Sequence, residues 1–142
     1  MIETRIVDSD TEHEDALAVR HAVFVEEQGV DEDLEYDEYD ANAVHVVAYD
    51  GSDPVGAARL RELEDGAGKV ERVAVLEPRR GEGIGRKLMA VLEKRARADG
   101  FDELKLHSQT HAAGFYAEVE YERYGEEFEE AGIPHVRMRK KL

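Results

Sequence analysis

Val73-Ala74-Val75-Leu76-Glu77-Pro78-Arg79-Arg80-Gly81-Glu82-Gly83-Ile84-Gly85-Arg86-Lys87-Leu88 reads as a strand, a break and the start of a helix. The β-branched run from Val73 suits a buried strand, and Pro78 stops it. Gly81, Gly83 and Gly85 allow a tight turn in which the backbone can approach an oxygen with no Cβ in the way. From Gly83 to Ala98 the period changes to that of a helix, with Ile84, Leu88, Val91 and Leu92 on one stripe, and Asp99-Gly100 closes it. Such a turn gathers backbone N–H groups, the positive end of a helix dipole and arginine side chains around one point. That point is an anion site, suited to a phosphate or pyrophosphate.

The flanking sequence completes the pattern. Residues 2–7 (IETRIV) are a first strand. Thr11-Glu12-His13-Glu14 has the spacing of a capping box. Behind it Ala16, Leu17, Val19, Val23 and Phe24 recur at helical spacing through Gln28, and Gly29 ends the helix. Residues 31–40 (DEDLEYDEYD) carry seven acids in ten. They alternate like the start of a calcium loop, but Tyr36 stands where the loop glycine belongs and Asn42 where the closing Glu belongs. A solvated acidic loop or short helix fits better. Residues 43–49, 54–61 and 69–76 are three strands joined by short turns and therefore antiparallel. After the central helix come a strand at 102–107, a helix at 110–119, and a strand pair at 121–128 and 135–141 with Gly132-Ile133-Pro134 between. The order β-α-β-β-β-α-β-α-β-β predicts an α+β fold: one mixed, mostly antiparallel sheet flanked by helices, a single domain over residues 1–142.

Composition narrows the function. The chain has 142 residues, no cysteine, 34 acids and 19 bases, for a net charge of −15. No disulfide, thiolate metal site or covalent acyl-cysteine is available. No histidine pair has metal-ligand spacing, so no metal is expected. No apolar run approaches the ~20 residues of a membrane span, and Met1 leads straight into polar residues, so a cytoplasmic protein is the expectation. Residues 1–65 hold 20 acids and 4 bases, whereas residues 66–142 hold 14 and 15. This surface repels nucleic acid and anionic membranes. It suits a halophilic-like adaptation to high salt, for which thirteen arginines against six lysines are a weak further sign, or the steering of a cationic substrate.

Among phosphate motifs, the P-loop is absent, and the G-x-G-x-x-G fingerprint fails because the three glycines lie two apart. Arg/Gln-x-x-Gly-x-Gly/Ala fits Arg80 to Gly85; the other reading is an ordinary glycine-rich turn. Here the chain resembles the GNAT superfamily of N-acetyltransferases. RHAVFVEEQGV (Arg20 to Val30) and AGIPHVRMRKKL (Ala131 to Leu142) look like its ElaA-like subgroup, and HSQTHAAGFYAEVEY (His107 to Tyr121) resembles the family's C-terminal motif. The likeness covers nearly the whole chain. It implies acetyl-CoA as co-substrate. Val73, Ala74 and Val75 would face the pantetheine arm. Arg80, Gly81, Gly83, Ile84, Gly85 and Arg86 would surround the pyrophosphate. Gln109 would contact coenzyme A, and Tyr116 would stand at the general-acid position. By analogy a homodimer would form through the C-terminal strands. One departure is Val119-Glu120-Tyr121, where members have Leu-Gly-aromatic.

The chemistry implied is acetyl transfer to a primary amine, by direct attack in a ternary complex because no cysteine can carry the acyl group. Tyr116 could protonate the leaving thiolate, or could simply pack beside Phe115. Glu71 alternates with Val73 and Val75, which predicts a shared face; a partly dry face would raise its pKa toward that of a base, whereas an ion pair with Arg59 would make it structural. Glu26 and Glu27 are the next candidates for the base, His107, His111 and His135 could also accept a proton directly or through water, and Glu26, Glu27, His107 and His135 are the candidates to contact the acceptor. The acceptor could be a small, cationic amine. Two other functions fit the same residues: a non-catalytic acyl-CoA-binding regulator, and an enzyme that modifies protein amines.

Overall fold

The computed structural model describes Met1 to Leu142. Its strands are β1 (Ile2–Ile6), β2 (Val44–Asp50), β3 (Asp53–Glu62), β4 (Gly68–Val75), β5 (Glu103–Gln109), β6 (Glu122–Glu130) and β7 (Ile133–Lys141). They form one sheet in the order β1-β2-β3-β4-β5-β7-β6. Every pairing is antiparallel except β4 with β5. The helices are α1 (Asp10–Arg20), α2 (Glu32–Glu35), α3 (Ile84–Ala98) and α4 (Ala113–Glu118). The α+β architecture read from the sequence is the one observed.

Helices cover both faces of the sheet. Ala16 and Val19 of α1, with Val23, pack on Val47, Tyr49, Ala57 and Ala74. On the other face Ile84, Leu88, Met89, Leu92 and Ala96 of α3 pack on a larger cluster that includes Val46, Leu60, Val70, Leu104, Leu106 and Met138. Each fully buried aliphatic side chain there contributes about 1.5–3 kcal/mol.

The structure corrects several boundaries. Ser9 caps α1, its hydroxyl accepting from the Glu12 N–H at 3.2 Å, while Glu12 Oε1 accepts from the Asp8 N–H. The capping pattern therefore lies two residues before the one at Thr11. The first helix does not run uniformly to Gln28: from His21 to Glu27 it widens into π-type turns. An extra residue per turn re-aims the side chains that follow. The last hairpin turns at Ala131-Gly132, both at positive φ, and Pro134 lies inside β7. Proline is tolerated because β5 pairs with β7 only from His135 onward, so no inner neighbour needs its missing N–H. The outer strand β6 carries Glu126, Glu127 and Glu129, like charges that oppose edge-to-edge pairing.

The acidic segment 31–40 is not simply solvated. It folds into α2 and a short 3₁₀ turn at Glu38–Ala41, and several of its carboxylates enter an internal ion network. Glu35 and Arg20 are each 1% exposed, and Arg20 Nε donates to Glu35 Oε1 at 2.8 Å. Arg59, fully buried, donates to Asp37 at 2.6 Å, Asp40 at 2.8 Å and Glu71 at 2.9 Å. Arg72 reaches the Leu34 and Glu35 carbonyls and so ties the segment to β4. Although burial opposes ionisation, the arginines around Asp37 and Asp40 hold both carboxyls low, Asp40 at about 2. A folded pKa below the unfolded one gives stability that is present above the unfolded value and lost as pH falls through the folded one. Acid titration by circular dichroism should therefore show stability declining from about pH 4 toward pH 2. A midpoint no lower than that of an Asp40→Asn variant would contradict this.

Candidate active site

β4 and β5 are paired over only three registers, from Gly68–Leu104 to Val70–Leu106. Beyond them the strands part, β4 running on to Val75 and β5 to Gln109. Parallel strands that separate leave backbone N–H and C=O groups unpaired along a wedge. A cleft of about 1180 Å³ opens there. Its lining includes Glu71, Val73, Ala74, Val75, Arg80, Gly81, Gly83, Ile84, Gly85, Arg86, Gln109, Tyr116, Glu27, His107 and His135. The sequence thus placed nearly all its candidates in one cavity. Glu26 is the exception. It lies outside the cleft, exposed, 3.3 Å from His21.

The glycine turn closes one end of the cleft. Gly81 and Gly83 both have φ of +82°, a conformation costly for any other residue. Gly83 is the N-cap of α3 and offers no side chain to the first N–H groups, which stay available to an anion. Gly85 serves a different purpose: a Cβ there would lie 3.0 Å from the Phe115 ring, so its absence lets α4 approach α3. Arg80 Nε donates to the Val75 carbonyl at 3.0 Å, and its two terminal nitrogens grip Glu27 at 2.7 Å each. That bidentate grip on two anionic oxygens is also the geometry a phosphate takes. It holds the Glu27 carboxyl below its usual pKa. The next residue, Gln28, accepts from Gln109 Nε2 at 2.7 Å. The π-wound segment thus reaches two of the candidate cofactor ligands. Arg86 pairs with Glu118 at the rim.

Glu71 and the valines do not share a face. Arg72 adopts φ of +57°, and the β3–β4 register slips between Ala57 and Arg59. This bulge inserts a residue and resets the alternation. Val73 and Val75 pack toward the α3 cluster, Ala74 toward the α1 cluster. Glu71 points to the α1 side, with Arg59 at 2.9 Å, Arg61 at 2.7 Å and Lys69 at 3.3 Å. Burial would raise its pKa, but these three cations outweigh it and hold the carboxyl low. The expectation of a raised pKa is therefore corrected, and the reading as an ion pair with Arg59 describes what is observed.

Tyr116 is 8% exposed, and burial alone raises its pKa. It is held by the turn that follows. The Tyr121 N–H bonds back to the Tyr116 carbonyl and the Glu120 N–H to the Ala117 carbonyl, both at 3.0 Å, which is a Schellman motif. Glu120 takes its left-handed position at φ of +76°, so the turn keeps its shape without the usual glycine. Glu120→Gly is expected to stabilise the protein by up to ~1 kcal/mol, relief of αL strain exceeding the added unfolded-state entropy. Urea melts of the two proteins would show it, and a destabilised variant would contradict it.

The sequence did not single out Glu130. His107 Nδ1 donates to Glu130 Oε1 at 2.9 Å, and His135 Nε2 lies 3.8 Å from Glu130 Oε2. Reading Ala131-Gly132 as the two-residue turn would have placed Glu130 beside the cleft. Phe24, Val30, Leu34 and Ile133 add an apolar rim. No group of three or more His, Asp or Glu side chains comes together in a way that could hold a metal ion. No helix is long and apolar enough to cross a membrane.

A mixed sheet that splays beside a glycine turn at a helix N-terminus defines an acyl-CoA-dependent transferase fold. The chain belongs to the GNAT acetyltransferase family: the family model described as "Acetyltransferase (GNAT) domain" matches residues 7–142. Enzymes of this family transfer an acyl group from coenzyme A. An uncharacterized N-acetyltransferase of Bacillus subtilis, YjcF, is 43% identical over 136 residues, 95% of this chain and 96% of that one. The crystal structure of Escherichia coli ElaA is similar with a TM-score of 0.86 and 29% identity, covering 99% of both chains. An aminoglycoside 6'-N-acetyltransferase complexed with coenzyme A shares the fold, with a TM-score of 0.74 at 16% identity over 99% of this chain and 96% of that one.

Proposed function

We propose that this protein moves an acetyl group from acetyl-CoA to a primary amine by direct attack in a ternary complex. One observation carries the reading: the splayed ends of β4 and β5 open a cleft onto the uncapped N-terminus of α3, beside the Gly81–Gly83 turn. The freed edge of β4 from Val73 to Val75 is suited to hydrogen-bond the amides of a pantetheine arm. Arg80, Arg86 and the first amides of α3 would hold the pyrophosphate, and Gln109 would steady the arm from β5. Tyr116, neutral because burial disfavours its phenolate, would give its proton to the departing thiolate. The tetrahedral intermediate would be stabilised by a backbone N–H of the β4 edge.

The acceptor is proposed to be a small cationic amine, which the net charge of −15 would attract. That net charge already includes the arginines paired with Glu35, Asp37 and Asp40, so the attraction comes from the other carboxylates of the chain. The proposal is tested by calorimetry with coenzyme A and by thiol release from acetyl-CoA with putrescine, phenethylamine and glycinamide. No affinity for coenzyme A would overturn it. Arg80→Ala is expected to raise KM for acetyl-CoA about tenfold with kcat little changed, because a charge-assisted contact made equally in ground and transition states is removed. A fall in kcat at constant KM would count against that assignment.

A further inference from the structure

An amine that attacks a thioester must shed a proton, and the cleft offers few groups to take it. Glu71 is surrounded by Arg59, Arg61 and Lys69, which keep its lone pairs occupied. His111 stands near Glu27, whose carboxyl it helps to hold low, at the Arg80 end of the cleft. His135 donates from Nδ1 to the Ile133 carbonyl at 2.6 Å, which leaves its Nε2 facing the Glu130 carboxylate.

His107 is placed differently. It is the first residue of β5 beyond the last β4 pair, Val70–Leu106, so it stands where the two strands diverge. The glycine turn follows the far end of β4, about five residues or ~17 Å of strand away. A pantetheine arm anchored at that turn and laid along the wedge would bring its thioester toward His107. The Nδ1–H of His107 is fixed on Glu130 Oε1 at 2.9 Å, so Nε2 carries the free lone pair and makes no hydrogen bond to the protein. The ring is braced edge-to-face by Phe128, with centroids 5.0 Å apart. Glu130 is itself held at the start of a strained turn, with Ala131 at φ of +54°. Its carboxyl is kept low first by the His107 hydrogen bond, and so remains a firm acceptor.

We infer that His107 is the proton acceptor for the attacking amine and that Glu130 positions it. The inference rests on the acetyl-transfer reading above. In the step, the amine nitrogen bonds to the thioester carbonyl carbon and the carbon–sulfur bond breaks. One N–H proton passes to His107 Nε2, and the leaving sulfur takes the Tyr116 proton. The products are the amide and coenzyme A thiol; the His107 proton is then returned to the Tyr116 phenolate, directly or by exchange with solvent, so that both groups are restored for the next neutral amine. A carboxylate that orients an imidazole through its other nitrogen fixes the tautomer this requires. Of the charged and titratable groups around it, Glu130 of β6 bonds the ring, Lys69 and Glu71 of β4 and His135 of β7 line the same cleft, and Arg137 of β7 lies opposite His107 in the strand register.

The test is thiol release from acetyl-CoA with the three amines named above. His107→Ala should lower kcat about a hundredfold, leave coenzyme A affinity within about twofold, and regain rate when imidazole is added. Glu130→Gln should lower kcat about tenfold with no gain from imidazole, and Glu130→Asp should keep more activity than Glu130→Gln. A His107→Ala enzyme with more than half the wild-type kcat overturns the inference. So does a lost rate that imidazole leaves unchanged in a variant whose circular dichroism and coenzyme A affinity match wild type. A Glu130→Gln rate equal to that of Glu130→Asp removes the positioning role. If the wild type binds coenzyme A but releases no thiol with any of the amines, the amine-transfer reading fails, and this inference with it.

Discussion

Tyr116→Phe is expected to lower kcat about a hundredfold while KM for acetyl-CoA stays within about twofold. The substitution removes one oxygen and little else. The ring packs edge-to-face against Phe115 and Tyr121, contacts a phenylalanine ring can keep. The hydroxyl makes no hydrogen bond whose loss would strand a partner, so the melting temperature and coenzyme A affinity should be those of the parent. What would disappear is the proton proposed for the leaving sulfur. A thiolate expelled without it must depart charged into a site that disfavours charge, as the raised pKa of the phenol itself indicates. Steady-state kinetics with varied acetyl-CoA would check this. A kcat within twofold of wild type would reduce Tyr116 to a packing residue.

The second large effect is on stability. Arg20→Ala should destabilise the protein by about 3–5 kcal/mol, because it leaves a buried carboxylate without its main partner. Arg20 holds Glu35 through Nε at 2.8 Å and Asp40 through the guanidinium at 2.7 Å, with Arg20 and Glu35 both almost wholly buried. The remaining cation near Glu35, Arg72 at 3.3 Å, is longer and already shared with Asp37. Urea unfolding should show a lower midpoint at an unchanged slope, and the melting temperature should fall by roughly 10 °C or more. Replacing Arg20 and Glu35 together by leucine should recover part of the loss, since no charge of that pair is then left stranded. An Arg20→Ala midpoint near that of wild type would mean that water or Arg72 replaces the pair. The same network carries Leu34 to the cleft, so partial unfolding of α2 should also blunt activity.

Much of the candidate site was legible because it is local. The turn from Arg80 to Gly85 needs its glycines within a few residues of one another, and the strand and helix on either side announce themselves by period. Tyr116 and Gln109 came from a motif of the same compactness. The turning of Glu71 away from the valines, the placement of Glu130 and the ion network of the acidic segment were not legible for one shared reason: each depends on a distant partner. The bulge at Arg72 leaves no signature in VERVAV, yet it turns Glu71 away from Val73. Glu130 meets His107, 23 residues earlier, only in the folded chain. The seven acids from Asp31 to Asp40 read as a solvated face until Arg20, Arg59 and Arg72 arrive from three other elements.

By itself the sequence determined the order of strands and helices, the single antiparallel-rich sheet, the glycine turn before the central helix and the family. All of these are written in near-neighbour patterns of polarity, glycine and proline. Only the tertiary structure decided where β4 and β5 part, which carboxylates are neutralised, and which histidine is left with a free nitrogen. Those outcomes depend on register shifts and on charges brought together from far along the chain, and the energy of a charge is set by what surrounds it rather than by its sequence neighbours.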